Sequence, residues 1–341
     1  MTDILSLLPE ELENEICAAG FPKYRSTQVV SWLSKGVRDF SLMKNLPADL
    51  KGMLKENYSI YKPEVLSRSE SADGTVKYLW GLSDGNAVET VLMKYSYGNT
   101  VCISSQVGCR QGCRFCASTI GGLIRNLNPS EMLDEVLFTQ LDSGDKISNI
   151  VLMGIGEPLD NYDNVMRFLK LVNHPQLMNI GMRHISLSTC GILPKIDELA
   201  ALDLQLTLSV SLHAPDDETR SQIMPSNRNA GVENLISTCE AYYNKTGRRI
   251  SFEYAMISGV NDSDEHAMKL AGLARRVHAH INLIPLNDVE ERPFKASPPD
   301  KVKHFAALLS EKGANVTVRR SLGGDVNASC GQLRRNFMKN S

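Results

Sequence analysis

An α/β fold, arranged as a partial or full (βα) barrel of the TIM-like kind, is what this sequence predicts for most of its length. Three observations lead there. Short apolar runs recur at NIVLMG (149–154), HISLST (184–189), LTLSVSL (206–212), ISFEYAMI (250–257), HINLIPL (280–286) and NVTVRR (315–320). Between them lie stretches of helical spacing near 129–142, 161–173, 232–245, 264–278 and 299–312. Such alternation implies a parallel sheet, and six or seven units exceed what an open half-sheet needs. In that architecture reactive groups gather just past the C-terminal ends of strands, which is where the motifs of this region fall.

The elements before the barrel differ. From Pro9 to Tyr58 apolar residues (Leu12, Ile16, Val29, Val30, Trp32, Leu33, Leu50) recur with helical spacing between the breakers Gly20, Pro22 and Pro47. This predicts a small helical accessory domain over 1–60. Lys23, Arg25, Lys35 and Arg38 make it locally basic, as a solvated surface or an RNA-facing patch. The runs VKYLWGL, AVETVLMKY and TVCIS, punctuated by Asp73-Gly74, Asp84-Gly85 and Gly98-Asn99, predict a hairpin-like connector at 61–95. The core then spans 96–325, and 326–341 forms a C-terminal loop and tail.

Composition bounds the function. A chain of 341 residues, 42% of them apolar, suits one large domain with an accessory piece. A net charge of -2 and a pI near 6.4 exclude gripping nucleic acid through the overall field, so any RNA contact must be local. The acidic N-terminus lacks the features of a signal peptide, and no run reaches the ~20 apolar residues of a membrane span. A cytoplasmic protein without membrane contact is expected.

The cysteines carry the first chemical signal. Of eight, Cys102, Cys109, Cys113 and Cys116 crowd into 15 residues, which points to metal or catalysis rather than a disulfide scaffold. Cys109, Cys113 and Cys116 form CxxxCxxC. Fully thiolate-ligated 4Fe-4S clusters use four cysteines, so three leave one iron open to an amino-carboxylate such as the methionine end of S-adenosylmethionine (SAM). Zinc is the alternative, with Cys102 as fourth ligand, but the paired CxxC spacing usual for zinc is missing.

Further candidates lie at strand ends. Gly154-Ile155-Gly156-Glu157-Pro158 follows a strand, so its glycines allow close backbone approach and Glu157 can accept from an ammonium group. It is no dinucleotide fingerprint, because Leu159 stands where a third glycine belongs. Ser188, Ser211-Leu212-His213 and Asn287 offer groups suited to ribose and adenine, or act as turn formers and caps. Glu89 interrupts an apolar run, where a buried carboxylate needs a partner. Cys330 sits in a glycine-rich polar loop unlike core sequence. Cys17, Cys190 and Cys239 read as packing residues. Arginine pairs at 248–249, 275–276, 319–320 and 334–335 are phosphate candidates, Arg319-Arg320 foremost.

The stretch VCISSQVGCRQGCRFCASTIGGLIR (101–125) closely resembles the radical SAM signature of the RlmN/Cfr family of RNA adenosine methyltransferases. The resemblance extends through GIGEP, STCGILP, SLHAP and IPLN to CGQL, nearly the whole chain. It implies a radical SAM barrel holding one 4Fe-4S cluster on Cys109, Cys113 and Cys116, with SAM on the open iron and two SAM consumed per turnover. Gly156 and Glu157 would contact the SAM amino group, and Ser188, Ser211, Leu212, His213 and Asn287 the rest of it. Cys330 would be methylated and carry the carbon to RNA. Cys102 would resolve the adduct through a transient disulfide, and Glu89 would accept the ring proton, a role Cys102 could also fill. The implied partners are 23S rRNA, tRNA and an electron donor such as flavodoxin or ferredoxin, and the implied state is a monomer.

A carrier makes chemical sense, since C2 and C8 of adenine are electron-poor and will not displace a methyl group from SAM directly. The GEP and STCG segments are closer to the C2-methylating, RlmN side of the family than to the C8-methylating resistance enzymes. Alternatives are C8 methylation, another radical SAM reaction, and a non-catalytic iron–sulfur or zinc protein that binds RNA.

Overall fold

The computed structural model describes residues 1–287, 289, 291–320 and 322–323. Three helices open the chain, α1 (Pro9–Ala18), α2 (Tyr24–Leu33) and α3 (Ala48–Asn57). The strands β1 (Thr2–Asp3) and β2 (Tyr58–Ser59) pair in parallel and bracket them. Leu12, Ile16, Val29, Leu33, Leu50 and Leu54 are buried, one face of each helix, as the spacing predicts. The basic residues here form no single patch. Arg38 is buried and paired with Asp134, Lys23 pairs with Glu13 at 2.7 Å, and Arg25 donates to the Asn45 carbonyl at 2.9 Å.

Next, β3 (Glu64–Glu70), β4 (Val76–Gly81), β5 (Ala87–Tyr95) and β6 (Gly98–Cys102) pair antiparallel in succession. A small hairpin follows, β7 (Gln106–Gly108) with β8 (Leu123–Asn126). The alternating part then runs α4 (Pro129–Ser143), β9 (Ile147–Leu152), α5 (Tyr162–Asn173), β10 (Ile185–Thr189), α6 (Leu193–Ala201), β11 (Thr207–Ser211), α7 (Asp217–Ile223), α8 (Val232–Thr246), β12 (Ser251–Met256), α9 (Asp264–Arg276), β13 (His280–Pro285), α10 (Pro299–Glu311) and β14 (Asn315–Val318). Helices α6 and α7 were not expected from spacing; both are short.

Ten strands make one sheet in the order β14-β13-β12-β11-β10-β9-β6-β5-β4-β3. From β6 to β14 every pairing is parallel. The stretch expected as a connector therefore continues the core sheet, Val91 of β5 standing opposite Cys102 of β6. Among the described residues the sheet stays open between β14 and β3, so the barrel is partial. The chain beyond β14 nevertheless reaches the β3–β4 turn, where the Gly323 N–H donates to Asp73 at 2.8 Å.

Local signals explain the elements. Helix α4 starts at Asn128, whose N–H donates to Glu131 at 2.8 Å, and ends at Gly144 with φ +71°. Within the sheet, Leu187, Leu208, Val210, Phe252 and Leu283 are fully buried, each contributing about 1.5–3 kcal/mol. Ser188, Ser211 and Glu253, out of phase with them, line a cavity instead. No described helix is long and apolar enough to cross a membrane.

Candidate active site

A cavity of about 450 Å³ lies at the C-terminal ends of the parallel strands. Cys109, Cys113 and Cys116 line it, together with Cys102 at the end of β6. Their loop leaves β7 and returns into β8. Gly108 has φ +78°, and a Cβ there would lie 2.0 Å from the Gly122 carbonyl oxygen, so only glycine permits the crossing. The Cys109 N–H donates to that same oxygen at 3.0 Å. The Thr119 hydroxyl lies 3.0 Å from the carbonyl oxygens of both Cys113 and Cys116, and Arg292 donates to the Cys116 carbonyl at 3.0 Å. Backbone is fixed this way while all three cysteines remain cavity wall.

Burial pushes the Cys109 thiol up to about 12 and raises Cys113 as well. Thiolates here need a compensating cation, which iron would supply. The donor set fits an iron–sulfur cluster, which takes one thiolate per iron. Among the described residues no three His, Cys, Asp or Glu groups converge on a single-ion site.

Residues expected to hold SAM meet in the same cavity: Gly156, Glu157, Ser188, Ser211, His213 and Asn287 all line it. Gly156 has φ +108°, and a Cβ there would stand 2.6 Å from Gln106 Cβ. Glu157 is 4% exposed and accepts from the Leu159 N–H at 3.1 Å and the Cys190 N–H at 2.7 Å. Burial raises its pKa against the lowering effect of those bonds. The Ser188 and Ser211 hydroxyls, on adjacent strands, lie 3.4 Å apart. His213 adopts φ +55°, accepts from the Ala255 N–H through Nδ1 at 3.0 Å, and meets Phe115 edge-on. Burial, and then Arg220, pushes its pKa down to about 3, so the ring is neutral with its proton on Nε2. Leu212 alone of the expected set lies behind the wall, its N–H bound to the Glu253 carbonyl and its own carbonyl to Arg220.

Glu89 is buried on the face of β5 that carries Val91, a lining residue, but is not itself part of the lining. Lys77 lies 3.5 Å from it. Cys330, Arg334 and Arg335 lie outside the described residues. So does one half of the expected Cys102–Cys330 bridge, and no disulfide joins any two described cysteines.

Of the three cysteines read as packing, Cys239 and Cys190 are buried in apolar clusters. Cys17 is exposed, and Cys190 also lines the cavity because it follows the last residue of β10. Among the arginine pairs, Arg276 is held by Glu233 at 2.8 Å, whereas Arg319 and Arg320 line the cavity.

Two residues were missed in the sequence. Arg220, 1% exposed, donates to the carbonyls of Leu212, Cys190 and Ser211 and to Asn227, tying together the ends of β10 and β11. Glu253 lines the cavity from β12. Its signal, a lone carboxylate inside an apolar strand, is the one that drew notice to Glu89.

Residues 103–271 match the model of the Radical SAM superfamily, and 2–60 match that of the ribosomal RNA large subunit methyltransferase N-terminal domain. A probable dual-specificity RNA methyltransferase RlmN of Clostridium tetani is 48% identical, the match covering 100% of this chain and 98% of that one. Its counterpart in Desulforamulus reducens is 50% identical over 98% and 96%. The crystal structure of a radical SAM methyltransferase from Sphaerobacter thermophilus superposes with a TM-score of 0.92 at 40% identity, covering 97% of this chain and 99% of that one. With near-complete coverage in both directions, the chain belongs to the RlmN family of radical SAM methyltransferases.

Proposed function

We propose that this enzyme methylates C2 of an adenosine in 23S rRNA and in tRNA by way of a methylated Cys330. The observation that carries the reading is the gathering of the three-cysteine loop, Cys102 and six of the seven expected SAM contacts around one cavity. Relatives named as dual-specificity RNA methyltransferases support the substrate class, and the GEP and STCG segments favour C2.

Cys109, Cys113 and Cys116 would hold a 4Fe-4S cluster with SAM beside it. When bound, the cluster supplies the electron that cleaves SAM to a 5′-deoxyadenosyl radical. Glu157 accepts from the SAM ammonium group, Gly156 lets backbone approach it, and Ser188, Ser211 and Asn287 bind the nucleoside. Neutral His213 packs against it, and Leu212 backs the wall, its N–H and carbonyl already held by Glu253 and Arg220.

Cys330 accepts a methyl group from one SAM, and its S-methyl carbon then gives up a hydrogen atom before adding to C2. The ring radical would then pass one electron back to the oxidised cluster and its ring proton to Glu89, restoring aromaticity. The Cys102 thiolate attacks the Cys330 sulfur, the S–C bond breaks towards carbon, and that carbon takes up a proton from solvent to leave as methylated RNA, with a disulfide left for external reductant. Arg319 and Arg320 meet phosphate at the cavity mouth. A small redox protein such as flavodoxin or ferredoxin feeds the cluster.

The test is incubation of anaerobic, cluster-loaded protein with reductant, protein-free 23S RNA and SAM bearing a deuterated methyl group, followed by nucleoside mass spectrometry. The expected product is 2-methyladenosine retaining two of the three deuteriums. Three retained deuteriums would remove the need for Cys330, 8-methyladenosine alone would overturn the regiochemistry, and zinc without iron would overturn the cluster.

A further inference from the structure

Glu253 is a carboxylate that the proposed chemistry leaves unused. It is 4% exposed, yet it lines the cavity. In the sheet it stands between Ser211 of β11 and Asn282 of β13. One oxygen accepts from the Ser251 hydroxyl at 3.2 Å and the other from the Asn282 amide at 2.8 Å. A carboxylate has about four acceptor sites, and with the Ser209 hydroxyl also bearing on Glu253 it keeps capacity for a further donor from the cavity. Burial pushes its pKa up, and the Asn282 amide and Arg319 offset that only in part; no described Lys or Arg forms an ion pair with Glu253. A buried carboxylate in that position calls for donors from whatever fills the cavity.

Its chemistry selects the donor. A carboxylate repels phosphates and carboxylates and suits hydroxyl donors, as acidic residues do with ribose in nucleotide sites. Its place selects which part of the ligand it meets. Glu157, in the loop after β9 and bonded to the Cys190 N–H just past β10, takes the amino-acid end of SAM in the reading above, and β12 lies two strand spacings from β10, about 10 Å. The nucleoside end then extends past Ser188 and Ser211 towards β12. We infer that Glu253 is a further SAM-binding residue, accepting a hydrogen bond from a ribose hydroxyl.

This rests on the cavity binding SAM, and the experiment separates the two claims. Cluster-loaded, full-length protein is dialysed anaerobically to equilibrium against SAM and against SAM analogues lacking the 2′- or the 3′-hydroxyl. Wild type is expected to lose about tenfold or more in affinity for at least one analogue. Glu253→Gln, nearly the same shape, is expected to bind SAM about tenfold more weakly and to lose discrimination against that analogue, with iron content and cluster absorbance unchanged. Should the glutamine variant fail to retain its cluster, Glu253→Asp carries the same comparison. Equal affinity of wild type for SAM and both analogues would overturn the inference, as would a variant that still discriminates fully. Failure of wild type to bind SAM at all would overturn the cavity reading and this inference with it.

Discussion

The Lys77 ammonium lies 3.5 Å from the Glu89 carboxylate with both side chains buried, a diagonal pair across the antiparallel strands β4 and β5. Removing one partner of a buried pair leaves the other charge desolvated and costs about 3–5 kcal/mol. Lys77→Met is therefore expected to lower stability by roughly that amount, and adding Glu89→Gln to recover a good part of it. Urea unfolding of the two singles and the double gives the coupling. Strictly additive losses would show that Lys77 does not support Glu89.

Arg220 serves four acceptors with one guanidinium: the Leu212 carbonyl at 3.0 Å, the Ser211 carbonyl at 3.1 Å, the Cys190 carbonyl at 2.7 Å and Asn227 at 2.8 Å. A lysine ammonium has three donors on one atom and cannot span that fork. Arg220→Lys should lower stability by about 2–4 kcal/mol, from buried carbonyls left without donors. Because those carbonyls belong to the strand ends beside Ser188, Ser211 and His213, SAM affinity should fall too. Calorimetric melting with and without SAM reads both; a destabilised variant keeping the full SAM-induced shift would make Arg220 purely structural.

These two residues show where the sequence stops being legible. The parallel strands and most helices could be read because apolar runs and helical spacing report burial directly, and the cysteine loop because three thiols at fixed spacing have few uses. The place of β3, β4 and β5 in the core sheet was not readable, since a hairpin's own pairing says nothing about what lies along its outer edge. Arg220 was invisible for a related reason. Apart from Asn227, its partners are backbone carbonyls from 8 to 30 residues away in sequence, and carbonyls carry no residue identity. Arg38 looked like surface charge because Asp134, its partner, is 96 residues distant.

Gly156 combines a left-handed φ of +108° with a wall: a Cβ would meet Gln106 Cβ at 2.6 Å and its backbone nitrogen at 2.8 Å. Strain and overpacking each contribute about 1–3 kcal/mol. Gly20 supplies the control, with φ +85° and nothing within 4 Å of an added Cβ. Gly156→Ala should therefore destabilise by about 2–5 kcal/mol and Gly20→Ala by about 1–2 kcal/mol. Chemical denaturation of both compares them, and equal losses would mean that Gln106 yields to the new methyl group.

His213 gives the pH dependence a sign. Burial, reinforced by Arg220, pushes its pKa down to about 3 from the ordinary 6.5. The unfolded chain takes up a proton at this imidazole below pH 6.5 while the folded chain does not. Its contribution to stability is thus intact above about pH 6.5 and is lost, by about 1.4 kcal/mol per pH unit, as the pH falls towards 3. Asparagine keeps an acceptor for the Ala255 N–H and tolerates the φ of +55°. Between pH 7 and pH 5 wild type should lose about 2 kcal/mol more than His213→Asn, the other titrating groups cancelling in the difference. Urea midpoints at the two pH values measure this. Parallel pH slopes would show that the folded protein protonates His213 as readily as water does, which a wall residue buried between Phe115 and Ala255 should not allow.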